Sequence, residues 1–149
     1  MSYVQTFYHI IFRTYRSERT ISPDHERELY AVVMEQTHSL GGKILRVGGM
    51  PDHVHIFTSL PTSISVAQYV QAVKVFTSKW LKENPDFPNF KGWGREYAVF
   101  TYGIRDKDMI VNYIKNQKEH HKTVDFREEL RTILIECGVE FNEEYFLKD

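Results

Sequence analysis

Two histidines stand two residues apart in His53-Val54-His55, at the head of the alternating run 53–60 (HVHIFTSL). On a strand, residues i and i+2 point to one face. His53, His55 and Phe57 therefore share one side, and Val54, Ile56 and Thr58 the other. Neutral imidazole is a common ligand of divalent ions, and two rings side by side are what such a site requires. The competing reading is an ordinary strand with two surface histidines. Further along, Tyr113 and Gln117 fall at i and i+4 of a helical stretch and share a face one turn apart. A phenolic oxygen can be a nucleophile that forms a covalent intermediate. A glutamine carbonyl oxygen can ligate a hard cation such as Mg²⁺ or Mn²⁺. The competing reading packs Tyr113 against Ile110 and Ile114 and leaves Gln117 in water. His120 and His121 follow Gln117 and read as a solvated helix end. His9, His25 and His38 have no usable partner spacing, and Cys137 reads as inert core.

The elements that must hold these side chains are legible in pattern. Residues 3–13 (YVQTFYHIIFR), β-branched and aromatic with no Gly or Pro, predict a strand. Ser22-Pro23 reads as a helix start and Gly41-Gly42 as its stop. Residues 43–48 and 53–60 predict a hairpin around the turn cluster 49–52. Ser65-Val66-Ala67-Gln68 is a capping box. It opens the strongest helical signal, with Val66, Tyr69, Val70, Val73, Phe76 and Trp80 at 3-4 spacing. Residues 96–102 predict a fourth strand. Asp106 is expected to cap a helix running to about His121, and Asp125 a last one ending at Gly138. The order β-α-β-β-α-β plus C-terminal helices predicts an α+β, ferredoxin-like antiparallel sheet with helices on one face. The other face is expected to stay open. Fold alone does not give function.

At 149 residues the chain is expected to be one domain, 1–149, with a core in 1–122 and an acidic helix and tail in 123–149. One cysteine excludes a disulfide framework. No stretch of 18 apolar residues is present, so no membrane span is expected. The start of the chain shows no secretory signal. Net charge is −1, but residues 1–122 carry 16 Lys and Arg against 12 Asp and Glu, and residues 123–149 carry 3 against 8. The basic part suits a nucleic-acid partner that the average conceals. Arg13, Lys43, Arg46, Lys74 and Lys79 are candidates for phosphate contacts, against a plain solvated surface. Trp93, Tyr97 and Tyr102 could stack on unpaired bases, against core packing.

The run Met50-Pro51-Asp52-His53-Val54-His55-Ile56 resembles the signature of single-tyrosine HUH transposases, the insertion-sequence-200-like family of bacterial mobile elements. Tyr113-Ile114-Lys115-Asn116-Gln117 resembles that family's tyrosine helix. The segments 74–80 (KVFTSKW) and 90–100 (FKGWGREYAVF), together with Tyr8-His9-Ile10 and Phe12-Arg13-Thr14, also match in order and spacing. Glu96 departs from the glycine common there and touches no catalytic position. The resemblance implies His53, His55 and Gln117 as metal ligands for Mg²⁺ or Mn²⁺, and Tyr113 as nucleophile. It implies a homodimer that cuts and rejoins single-stranded DNA at hairpin-flanked element ends through a 5′-phosphotyrosine, without a nucleotide cofactor. A glutamine in place of a carboxylate implies a loosely held, exchangeable ion. The expected compartment is the cytoplasm of a bacterium or archaeon. Two other readings share the sequence: a domesticated relative that processes chromosomal palindromic repeats, and a non-catalytic module that binds single-stranded nucleic acid.

Overall fold

Strand β1 (Tyr8–Arg13) is the spine of the sheet, hydrogen-bonded on both edges. The computed structural model describes residues 2–148; Met1 and Asp149, the ends of the expected domain, lie outside the described residues. The other elements are α1 (Glu26–Ser39), β2 (Lys43–Met50), β3 (His53–Ser59), α2 (Val66–Glu83), β4 (Ala98–Thr101), α3 (Lys107–Lys115), α4 (Gln117–His120) and α5 (Phe126–Glu136). The strands lie in the order β2-β3-β1-β4, and every neighbouring pair is antiparallel. This is the α+β arrangement expected from the sequence. No helix among the described residues is long and apolar enough to cross a membrane.

Strand alternation builds two cores. Ile10 and Phe12 of β1, with Val54 and Ile56 of β3, meet α1 and α2 through Leu29, Val33, Tyr69, Val70 and Val73. Each such side chain, once buried, contributes roughly 1.5–3 kcal/mol. The Ser65–Gln68 capping box forms as expected, Ser65 Oγ accepting from the Gln68 amide and Gln68 Oε1 from the Ser65 amide. The opposite face is not open. Ile110 and Ile114 of α3 cover Phe57, and Phe126, Leu130 and Leu134 of α5 cover Ile11 and Phe100. Helices α3 and α5 thus close a roof over the histidine face, because each carries its own apolar stripe.

Several local expectations shift. The first strand begins at Tyr8, and Tyr3, Val4 and Gln5, all exposed, stay outside it. Helix α1 begins at Glu26, because Ser22–His25 closes a turn in which the His25 amide donates to the Ser22 carbonyl. Asp106 makes no side-chain cap, and the helix it was expected to open breaks at Asn116 (φ −95°, ψ 19°). Cys137 is exposed at the end of α5.

Two glycines set the roof against the sheet. A Cβ on Gly48 would lie 2.8 Å from Ile114 Cγ2 and 3.0 Å from the Ile114 carbonyl oxygen, so only glycine lets α3 approach β2 this closely. A Cβ on Gly49 would lie 2.3 Å from the His53 carbonyl oxygen, so the hairpin entering His53 also needs a bare backbone.

Candidate metal and nucleophile site

His53 and His55 project from β3 into the space under the roof, both fully buried. Each ring is held from behind. His53 Nδ1 is 2.7 Å from Asp52 Oδ1. His55 Nδ1 is 2.8 Å from His9 Nε2. His9 reaches it because the register sets β1 His9 opposite Phe57 and Ile11 opposite His55, making His9 and His55 diagonal neighbours on one face. With Nδ1 engaged, both Nε2 atoms point inward, the arrangement that orients imidazole ligands.

The break at Asn116 turns Gln117 inward, where it is buried, while Tyr113 stays one turn away on the same face. Gln117 Oε1 lies 3.0 Å from His53 Nε2. The two residues the sequence paired are therefore brought to the two histidines.

A residue that sequence reasoning missed stands at the centre. Glu129 of α5 is a buried carboxylate. Its Oε1 lies 3.3 Å from His53 Nε2, 3.4 Å from His55 Nε2 and 3.0 Å from His121 Nε2. Its Oε2 accepts from the Tyr113 hydroxyl and, at 2.8 Å, from Gln117 Nε2. Phe126, one turn earlier on α5, stacks on the His53 ring with centroids 4.3 Å apart. The available signal was Glu129's place inside the apolar stripe of Phe126, Leu130 and Leu134. A carboxylate at such a position must be paired or bind metal. His121, expected in solvent, instead tucks its side chain into the site, its Nε2 also 3.0 Å from Gln117 Oε1. Its spacing of four from Gln117 was the signal.

Charge inside the site follows from these contacts. Burial works against a charged His53, but its bonds to Asp52 and Glu129 outweigh that and push its pKa up to about 8. Burial lowers His55, and burial with the neighbouring His55 ring lowers His9 further. Burial opposes a charged Glu129, yet the facing rings of His121, His53 and His55 hold the carboxyl far below the usual range. Burial, then the Glu129 charge and hydrogen bond, raise the Tyr113 phenol well above its ordinary value. His55 Nε2 is buried without a hydrogen-bond partner. An orphaned imidazole nitrogen beside a second imidazole, an amide oxygen and a carboxylate is a donor set that fits a divalent ion.

The five basic candidates do not converge on this point. Lys74 and Lys79 lie on α2, which packs against the opposite sheet face. Lys74 Nζ donates to the carbonyls of Gly94 and Glu96, at 2.9 Å each, and burial pulls its pKa down to about 8. Lys79 is exposed on the same helix, and Lys43 and Arg46 are exposed on β2. Arg13, paired in register with His53, is buried and donates to Ser17 Oγ. Trp93 packs edge-on against Phe12 and donates to Thr77 Oγ1 at 3.0 Å. Tyr97 is exposed, and Tyr102 is half-buried beside Phe57.

Comparison with known proteins places the chain by family and fold. Residues 2–117 match the family described as "Transposase IS200 like". The transposase for insertion sequence element IS200 of Salmonella typhimurium is 27% identical over 120 residues, covering 77% of this chain and 78% of that protein. The Salmonella typhi transposase of the same element matches to the same extent. Among solved structures, a REP-associated tyrosine transposase bound to a REP hairpin superposes with a TM-score of 0.59 at 15% identity, covering 83% of this chain and 76% of that one.

Proposed function

Because this chain belongs to the IS200-like transposase family, we propose that it cuts and rejoins single-stranded DNA at hairpin-flanked ends, with Tyr113 as nucleophile. One observation carries the reading. Tyr113, Gln117, His53 and His55, drawn from two separated motifs, meet around a single buried point within one chain. A non-catalytic binding module has no use for that convergence.

In the proposed reaction the Tyr113 oxygen attacks phosphorus, the O–P bond forms, and the 3′-oxygen of the upstream strand leaves. The product is a 5′-phosphotyrosine, which preserves the bond for rejoining by an incoming 3′-hydroxyl, so no nucleotide cofactor is consumed. Before attack Tyr113 is a neutral phenol whose proton points at Glu129 Oε2, the acceptor within reach. His53, His55 and Gln117 would hold a Mg²⁺ or Mn²⁺ ion, which when bound polarises the scissile phosphate and stabilises the leaving oxygen. Asp52 and His9 keep the two rings aimed. The homodimer and the hairpin partner come from the family resemblance and belong to the same proposal.

The test is a hairpin-flanked single-stranded oligonucleotide incubated with Mn²⁺ and the whole chain. Wild type should yield a denaturant-stable protein–DNA adduct, and Tyr113→Phe none. An adduct that persists in Tyr113→Phe refutes the assignment. His53→Ala should abolish cleavage while hairpin binding survives; unchanged cleavage would favour a different site.

A further inference from the structure

Glu129 lies beyond the family-matched residues 2–117, and no motif assigns it a role. We infer that it is a fourth ligand of the divalent ion, donating Oε1 from α5 to the set formed by His53, His55 and Gln117. The inference rests on the reading that those three residues bind the ion.

The separations support it. Adjacent ligands of an octahedral ion at 2.0–2.1 Å stand about 3 Å apart. His53 Nε2 is 3.0 Å from Gln117 Oε1 and 3.3 Å from Glu129 Oε1, and His55 Nε2 is 3.4 Å from Glu129 Oε1. These are the spacings of donors around one small ion. They are too long for a good hydrogen bond at His55, whose Nε2 stays unpartnered although buried. If His55 Nδ1 donates to His9, its Nε2 presents a lone pair to the same point as Oε1.

The carboxylate is also fixed in place rather than swung in from a loop. Asp125 caps α5 by accepting from the Glu128 amide at 2.8 Å. Phe126, Leu130 and Leu134 anchor the helix on the sheet. Glu129's second oxygen, Oε2, is engaged by Tyr113 and Gln117, while Oε1, which also meets His121 Nε2 at 3.0 Å, is the oxygen that faces the Nε2 atoms of His53 and His55. One side chain would thus tie nucleophile and ion together. A carboxylate adds the anionic, hard donor that a His–His–Gln set lacks, so the ion should be held more tightly than that set alone would hold it.

The alternative is that Glu129 plugs the site and must leave for the ion to enter. Mn²⁺ titration of the full chain by calorimetry separates the two. If Glu129 is a ligand, Glu129→Gln and Glu129→Ala each weaken Mn²⁺ binding by at least about tenfold, the scale on which even indirect partners of a ligand act. If it is a plug, both variants bind as tightly as wild type or more tightly, and the inference is overturned. Should those variants fail to fold by circular dichroism, Glu129→Asp, which retracts the carboxylate by one methylene, carries the same test. Weaker binding supports the inference, and equal or tighter binding overturns it. The underlying reading fails separately. If His53→Ala binds Mn²⁺ as wild type does, or wild type does not bind at all, the histidine–glutamine site is wrong and the role of Glu129 falls with it.

Discussion

Stability of the chain stripped of divalent ions should pass through a maximum near neutral pH, because its buried histidines are perturbed in opposite directions. His53, pushed up to about 8 by Asp52 and Glu129 against the pull of burial, binds its proton more tightly folded than unfolded. The stability this contributes is fully present below the unfolded value of about 6.5 and is lost as pH rises through about 8. The difference corresponds to ~2 kcal/mol. For a domain of this size that is about 4–8 °C in Tm. His9 and His55 act with the opposite sign. Burial depresses both, so below about pH 6.5 the unfolded chain takes up protons that the folded chain refuses, and stability falls as pH falls. Glu129 and Asp52, both held below the usual carboxylate range, titrate beneath this window. Thermal unfolding followed by circular dichroism in EDTA, from about pH 5 to 9, should therefore peak at about pH 6.5–7 and decline on both sides. Asp52→Asn removes the partner of His53 Nδ1 and should flatten the alkaline limb. A Tm that keeps rising from about pH 6.5 to 8.5, or an alkaline limb of the same size in Asp52→Asn, would refute the reasoning.

Three further outcomes follow from packing and charge. Gly48→Ala forces a Cβ within 2.8 Å of Ile114 Cγ2 and should cost ~1–3 kcal/mol in a urea melt; an unchanged midpoint would mean that α3 is free to shift away from β2. Lys79→Gln should reduce the salt dependence of hairpin-DNA binding by about one counterion. Lys74→Gln should instead lower Tm, because its ammonium is committed to the carbonyls of Gly94 and Glu96. A Lys74→Gln chain with native Tm and a reduced salt slope would reverse those roles.

What the sequence made legible was whatever depends on local periodicity. Alternation placed His53, His55 and Phe57 on one face of β3, and the 3-4 spacing placed Val70, Val73 and Tyr69 on the buried side of α2. The i, i+4 relation of Tyr113 and Gln117 survived even the helix break at Asn116 between them, because both side chains end on the same Glu129 oxygen. What it did not show was cross-strand and cross-layer contact. His9 meets His55 only through the pairing register of β1 with β3. His121 turns inward only because the break at Asn116 lets a short α4 fold under α5. The histidine face read as open because two helices already satisfy the larger core; nothing local says that α3 and α5 carry enough apolar surface to roof the other side.

Glu129 changes what the uneven charge of this chain means. Residues 123–149 hold 8 Asp and Glu against 3 Lys and Arg, and set beside a basic core they read as an acidic tail outside the motifs that masks the positive balance. Some of that charge is spent locally, as in the pair of Arg131 with Glu143 at 2.8 Å. Glu129 is spent in the site, facing His53, His55 and His121. A phosphate brought to Tyr113 would come close to that carboxylate, and two like charges at 4 Å repel by roughly 4 kcal/mol at an effective dielectric of 20. The repulsion is tolerable only if positive charge lies between them. In the chain alone His53, with its raised pKa, supplies that charge; were Nε2 deprotonated to hold the proposed ion, the ion would supply it instead. If Tyr113 takes phosphate and the histidines take the ion as proposed, the buried acid would favour a state in which phosphate and cation arrive together, a condition set by the C-terminal segment outside the recognisable motifs.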